Sequence, residues 1–92
     1  MPTAKVKVPT PLRPFAGGVA EVALEGSTVG GVIHALAAAN PALEKHLFTT
    51  DGRLRNFVTI YLNDEDIRYL DSLQTAIKEG DELSIIPAVA GG

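Results

Sequence analysis

The chain has no cysteine. That absence excludes disulfides, thiolate metal sites and any relay of sulfur through a side chain. It also has no excess of basic charge. Eight Lys and Arg stand against eleven Asp and Glu, a formal net charge of −3, which is not the cationic footprint of a nucleic-acid binder. No apolar run approaches the length of a membrane span. The first residues, Met1-Pro2-Thr3-Ala4-Lys5, lack the apolar core of a secretory signal, so the expected location is the cytoplasm. There is no internal repeat, low-complexity tract or linker. Histidine is scarce as well. His34 and His46 without cysteine make an incomplete metal site, and both read as exposed helix positions. Asp64, Glu65 and Asp66 lack the glycine and distal glutamate of a calcium loop and read as part of a turn. No metal and no cofactor are expected.

What is present is one small domain of 92 residues with an ordinary apolar content. Residues 4–8 alternate, with Lys5 and Lys7 on one side and Val6 and Val8 on the other, the period of a half-buried strand. The proline-rich run 9–14 stops regular pairing. Residues 15–18 then read as the tip of a long hairpin loop, in preference to a partner-binding polyproline segment. Residues 19–24 form the return strand, with Ala20, Val22 and Leu24 inward and Glu21 outward. Thr28 or Ser27 is positioned to cap a helix in which Val29, Val32, Ile33 and Leu36 share one face. Gly30 and Gly31 weaken its first turn by up to ~1 kcal/mol each relative to Ala, and are suited to close packing on the sheet.

Asn40-Pro41 closes that helix. Residues 42–47 read as a short second helical turn with Leu43 and Leu47 on one side, and residues 48–56 as an exposed loop. Residues 57–62 are the clearest strand: Val58, Ile60 and Leu62 make one face, Phe57, Thr59 and Tyr61 the other. Asn63 to Asp66 make a turn, residues 67–70 a short edge strand, and residues 71–78 an irregular or 3₁₀ turn. Residues 82–86 form the last strand. Hairpin, helix, strand, short strand and strand in this order predict an α+β fold. Its sheet is mixed, with four to five strands and one main helix on one face, and its first and last strands lie parallel in the middle. That is the β-grasp, or ubiquitin-like, architecture.

After the last strand come Pro87-Ala88-Val89-Ala90-Gly91-Gly92, with no charged or hydrogen-bonding side chain. Proline cannot donate to a sheet ladder, so Pro87 is a natural point for the chain to leave the fold. The expected division is a domain over residues 1–87 and a flexible tail over 88–92. Five extended residues reach about 16 Å. Two glycines without Cβ atoms allow backbone to thread a narrow slot. The working group of this reading is the carboxylate of Gly92. Pro87, Ala88, Val89, Ala90 and Gly91 present it for recognition, and no processing protease is expected to be needed to expose it. Phe57, Thr59, Tyr61, Ser84 and Ile86 form an outward face beside the tail, read as a docking surface for partner enzymes. Arg13, Arg53, Arg55 and Arg68 read as solvated cations, available to an acidic partner groove.

The run from Phe57 to Arg68, together with the segment from Gly80 to Gly92, resembles the ubiquitin-like sulfur carriers of the MoaD and ThiS type over essentially the whole chain. A Gly-Asp-Glu turn, an apolar strand, a proline and a terminal Gly-Gly in succession carry that likeness. Pro9 to Pro14 and the Asn63 to Asp66 turn resemble the CysO-type branch, which supplies sulfur to a cysteine synthase. The resemblance implies a non-catalytic carrier. An ATP-dependent adenylating enzyme of the ubiquitin-activating type converts the Gly92 carboxylate to an acyl-adenylate, and a sulfur donor then leaves a thiocarboxylate. The implied partners are that enzyme and a sulfur-acceptor enzyme, a cysteine synthase or the large subunit of molybdopterin synthase. The implied alternatives are the molybdopterin synthase small subunit, a thiamin or transfer-RNA thiolation carrier, and a modifier joined to lysines of target proteins. Outside the resemblance stands a plain binding module with an incidental tail.

Overall fold

The computed structural model describes residues 1–55 and 58–87. Five strands, β1 (Thr3–Lys7), β2 (Glu21–Glu25), β3 (Val58–Leu62), β4 (Glu65–Asp66) and β5 (Glu82–Pro87), form one sheet in the order β2-β1-β5-β3-β4. The first and last strands run parallel at its centre, Val6 beside Leu83, and every other pairing is antiparallel. The period-two pattern of the strands sends Ala4, Val6, Val58, Ile60, Leu83 and Ile85 to one buried side. Helix α1 (Val29–Ala39) covers that side with Val29, Val32, Ile33 and Leu36, all fully buried. Helix α2 (Pro41–Leu47) adds Leu43 and Leu47. This is the predicted mixed sheet with its main helix on one face.

Local chemistry sets the ends of α1. Thr28 is extended, and its Oγ1 accepts a hydrogen bond from the Gly31 N–H at 3.0 Å, as an N-cap residue should. Asn40 ends α1 and begins α2, with Pro41 placed where a missing N–H leaves no donor unpaired. Gly30 has a different role from the one expected. A Cβ at this position would lie 3.0 Å from the Leu73 carbonyl oxygen. The glycine therefore admits the Ser72–Gln74 turn against the helix, not the sheet.

Several segments depart from the sequence expectation. The proline-rich run is not an open loop but a 3₁₀ helix, Thr10–Ala16. Proline's fixed φ suits that geometry. Leu12 and Ala16 are buried, and Arg13 Nε donates to the Val8 carbonyl at 3.0 Å. Gly17, at φ +72°, ends the helix in the left-handed region. Strand β2 starts only at Glu21. Ala20 is exposed rather than inward, and Val22 and Leu24 are half-buried. The stretch after α2 is only partly a solvent loop, because Phe48 is buried and bridges to Leu54. His34 is exposed, but its ring stacks on Phe48 with centroids 4.3 Å apart. His46 is half-buried against Phe15, so apolar contact overrides the expected full exposure.

The edge strand is Glu65–Asp66, and Ile67–Tyr69 is a 3₁₀ turn instead of a strand. The Asp66 side chain explains the change. Its carboxylate accepts from the Arg68 backbone N–H at 2.9 Å, which caps the turn. It also accepts from Arg68 Nε and Nη2, the latter at 2.7 Å. Arg68 is thus an ion-paired residue and not simply a solvated one. The guanidinium and then the backbone N–H of Arg68 hold the Asp66 carboxyl below its ordinary 3.8, while partial desolvation opposes them.

Two tests follow from these local interactions. Thr28→Ala should lose ~1 kcal/mol, a fall of about 4–8 °C in melting temperature, with Thr28→Ser recovering most of it in calorimetry. Asp66→Asn should lower the melting temperature at neutral pH. A carboxyl with a depressed folded pKa stabilises above its unfolded value and loses that effect as pH falls through the folded one. The gap between the parent and Asp66→Asn should therefore shrink as pH drops below 3.8. A gap independent of pH would remove the ion pair as its cause.

Candidate functional site: the end of the last strand and its outer face

Strand β5 lies between β1 and β3, but the two neighbours do not accompany it equally far. Its register with β1 runs from Glu82 to Ser84, opposite Lys5 to Lys7. Its register with β3 continues to Ile86, opposite Thr59, and to Pro87, opposite Val58. The pairing with β3 therefore extends beyond the last residue of β5 that pairs with β1. Of the residues read as the tail, only Pro87 belongs to the described structure, as the last position of β5 and not the first beyond it. Ala88, Val89, Ala90, Gly91 and Gly92 lie outside the described residues, and so does Phe57.

The face away from α1 carries the other side of the period-two pattern. Tyr61 sits opposite Ser84, and Thr59 opposite Ile86. Four of the five residues read as a docking face thus share one side of β3 and β5. Ile86 is 47% exposed, unusual for an isoleucine in a central strand, while Thr59, Tyr61 and Ser84 are half-buried. Towards β1 and β2 the face becomes charged, through Lys5, Lys7, Glu21, Glu25 and Glu82. Lys7 and Glu82 approach to 3.3 Å across half-exposed side chains, a pair that adds little stability in water. The result is a short apolar strip along the β3–β5 seam with a mixed-charge margin.

A cavity of about 420 Å³ opens at the start of β3, on the α1 side of the strand, where the Ile67–Tyr69 and Ser72–Gln74 turns pack. Arg53, Arg55 and Arg68 line it together with Leu54, Val58 and Thr59. Arg13 does not line it; it lies across the sheet beside Lys7 and Glu21, at the same end at which β5 finishes. The sequence reading treated the four arginines alike, and only the fold separates them. The signal available in the sequence was Asp66 two residues before Arg68, the spacing of a local side-chain cap. No group of three or more His, Cys, Asp or Glu among the described residues is placed to hold a metal ion. Among them too, no helix is long and apolar enough to cross a membrane.

Comparison with known proteins agrees with this architecture. The profile of the ThiS family matches residues 6–92, a span that includes the closing Gly91-Gly92. The chain is 46% identical over 89 residues to the sulfur carrier protein CysO of Mycobacterium tuberculosis, covering 95% of this chain and 96% of the relative. Its backbone superposes with a TM-score of 0.92 on the solution structure of the small archaeal modifier protein 1 from Methanosarcina acetivorans. That protein is 35% identical, and the match covers 100% of this chain and 98% of the other. CysO in the crystal structure of the Amycolatopsis orientalis BexX/CysO complex gives a TM-score of 0.87 at 37% identity, covering 97% and 99% of the two chains. With a five-stranded β-grasp sheet, a last strand at its centre and a family match that runs to its final glycine, the chain belongs to the ThiS family of ubiquitin-like sulfur carriers.

Proposed function

We propose that this sulfur carrier works through the α-carboxylate of Gly92 and takes part in cysteine biosynthesis. In this reading residues 1–87 are the folded body. Residues 88–92 are an extended tail that delivers the carboxylate into the active sites of other enzymes. The observation that carries it is the family match through Gly92 on a chain whose last strand runs at the centre of the sheet. The 46% identity to CysO supports the cysteine branch.

The chemistry follows from the terminal group. An α-carboxyl titrates near 3.3–3.7, so at neutral pH it is a stable anion and a poor electrophile. An ATP-dependent enzyme of the ubiquitin-activating type joins a carboxylate oxygen to the α-phosphorus of ATP and releases pyrophosphate. The acyl-adenylate carries a good leaving group. A sulfur donor attacks the carbonyl carbon, AMP departs, and Gly92 is left as a thiocarboxylate. Splitting one difficult substitution into two easier ones is the general logic of covalent catalysis. The thiocarboxylate sulfur then bonds to the β-carbon of an activated serine derivative on a cysteine synthase, whose β-leaving group departs, giving a thioester. The cysteine amine takes over the acyl carbon in an S-to-N shift, and a peptidase hydrolyses the resulting amide to release cysteine. The carrier supplies recognition and the reacting atom. The enzymes supply the bases, the nucleotide and the acceptor cofactor, so the chain acts as a co-substrate and not as an enzyme.

The absence of cysteine fits this role, since a nucleophilic thiol beside an activated acyl group would divert it. The outer strip of Thr59, Tyr61, Ser84 and Ile86 is suited to docking because it lies on the strands that lead to Pro87. The match to a small archaeal modifier protein favours a second reading, in which the activated Gly92 is passed to lysines of target proteins. Both readings share the activation step.

Deleting Gly92, or extending the chain by one residue beyond it, should abolish ATP–pyrophosphate exchange by the native activating enzyme while leaving the melting temperature unchanged. Normal exchange with either variant would show that the terminal carboxylate is not the activated group. Tyr61→Asp and Ile86→Asp should each weaken binding to that enzyme by about tenfold or more, as expected for a charge placed in a desolvated contact. Unchanged calorimetric affinity in both would remove the docking face.

A further inference from the structure

The three arginines around the start of β3 have no part in the activation chemistry or in the apolar strip. Three of the chain's four arginines line one cavity, in a protein whose net charge is −3. Each is held differently. Arg68 is gripped by the buried carboxylate of Asp66 through Nε and Nη2, yet its side chain is 68% exposed, so a fixed guanidinium edge faces solvent. Arg55 Nε donates to the Lys45 carbonyl at 2.6 Å, and among the described residues no carboxylate lies within ion-pair distance of it. Arg53 meets Asp51 only at 3.8 Å, with both side chains largely in water, a contact worth little. Asp51 and Asp66 therefore offset part of the local charge, but neither fills the cavity.

Preorganised guanidiniums match carboxylates through paired N–H donors, and fixing them in advance reduces the entropy lost on binding. The walls between them are apolar, from Leu54, Val58 and Leu73. A bare inorganic anion would leave those walls unmatched. A volume of about 420 Å³ admits a few side chains and no more. The cavity also adjoins Thr59 on the outer strip and Val58, the partner of Pro87. The cavity thus sits at the start of β3, next to the end of the strand that reaches Pro87.

We propose that Arg53, Arg55 and Arg68 form a cationic groove that receives an acidic segment of the activating enzyme, two or more carboxylates flanking an apolar side chain. The proposal rests on the activation reading above and names the chemistry of that partner's contact. The groove steers the encounter and fixes the orientation in which the tail enters.

The test measures the affinity of the full chain for its native activating enzyme at several salt concentrations. Arg53→Glu combined with Arg55→Glu should weaken binding by tenfold or more at low salt and flatten the salt dependence. Lys78→Glu, in the turn beside Thr3 at the opposite end of the sheet, should change neither. Arg68→Lys keeps the charge but loses the fork, and should give an intermediate loss. Equal affinity and equal salt dependence for the parent and the double variant would overturn the groove while leaving the carrier reading intact. No binding or adenylation of the parent chain would overturn both. Side-chain NMR of the arginine Nε–H groups separates other occupants. If inorganic phosphate saturates the same signals and displaces the enzyme, the groove takes a small anion. If removal of Gly91 and Gly92 shifts those signals, the groove holds the chain's own carboxylate. Either result would overturn the acidic-segment assignment.

Discussion

The parallel pairing of β1 with β5 is the contact on which the rest of the molecule depends. It places the chain's last strand in the middle of the sheet, with Leu83 and Ile85 buried beneath α1 and Val6 alongside. Burying one such side chain contributes about 1.5–3 kcal/mol, so the strand is anchored by its own core residues as well as by two ladders. The same pairing stops at Ser84, while the β3 ladder continues to Pro87. A terminus that follows such a strand starts from a rigid base. That is a useful property for a protein whose proposed working group is a carboxylate delivered to several enzymes in turn.

The periodicity of the sequence carried most of this architecture. Val29, Val32, Ile33 and Leu36 specified the buried face of α1, and alternation in residues 57–62 by itself separates Ile60 from Tyr61. The mixed topology followed from element order alone. What the pattern hid was decided by single side chains. Asp66 turns 67–69 into a capped 3₁₀ turn through Arg68, although Ile67 and Tyr69 have strand-like propensity. Leu12 and Ala16 reach the core from a proline-rich run that reads locally as a loop. Phe48 is pulled inward by the bridge to Leu54 and is then covered by His34. In each case a tertiary contact outweighed a local preference, which no window of neighbouring residues can register.

The candidate site divided in the same way. Thr59, Tyr61, Ser84 and Ile86 were legible as one face because strand alternation fixes it. The gathering of Arg53, Arg55 and Arg68 was not legible, because it brings the loop before β3 against the turn after β4. Family membership rests on the comparisons and on the closing segment. The fold adds how the last described strand is seated between its neighbours.

The most direct test of the carrier reading is the intact mass of the chain after incubation with its native activating enzyme, ATP and a sulfur donor. The mass should rise by the difference between one sulfur and one oxygen, and fragmentation should place the change on the peptide that ends at Gly92. An unchanged mass with an enzyme shown to be active, or the added sulfur on any other residue, would contradict it.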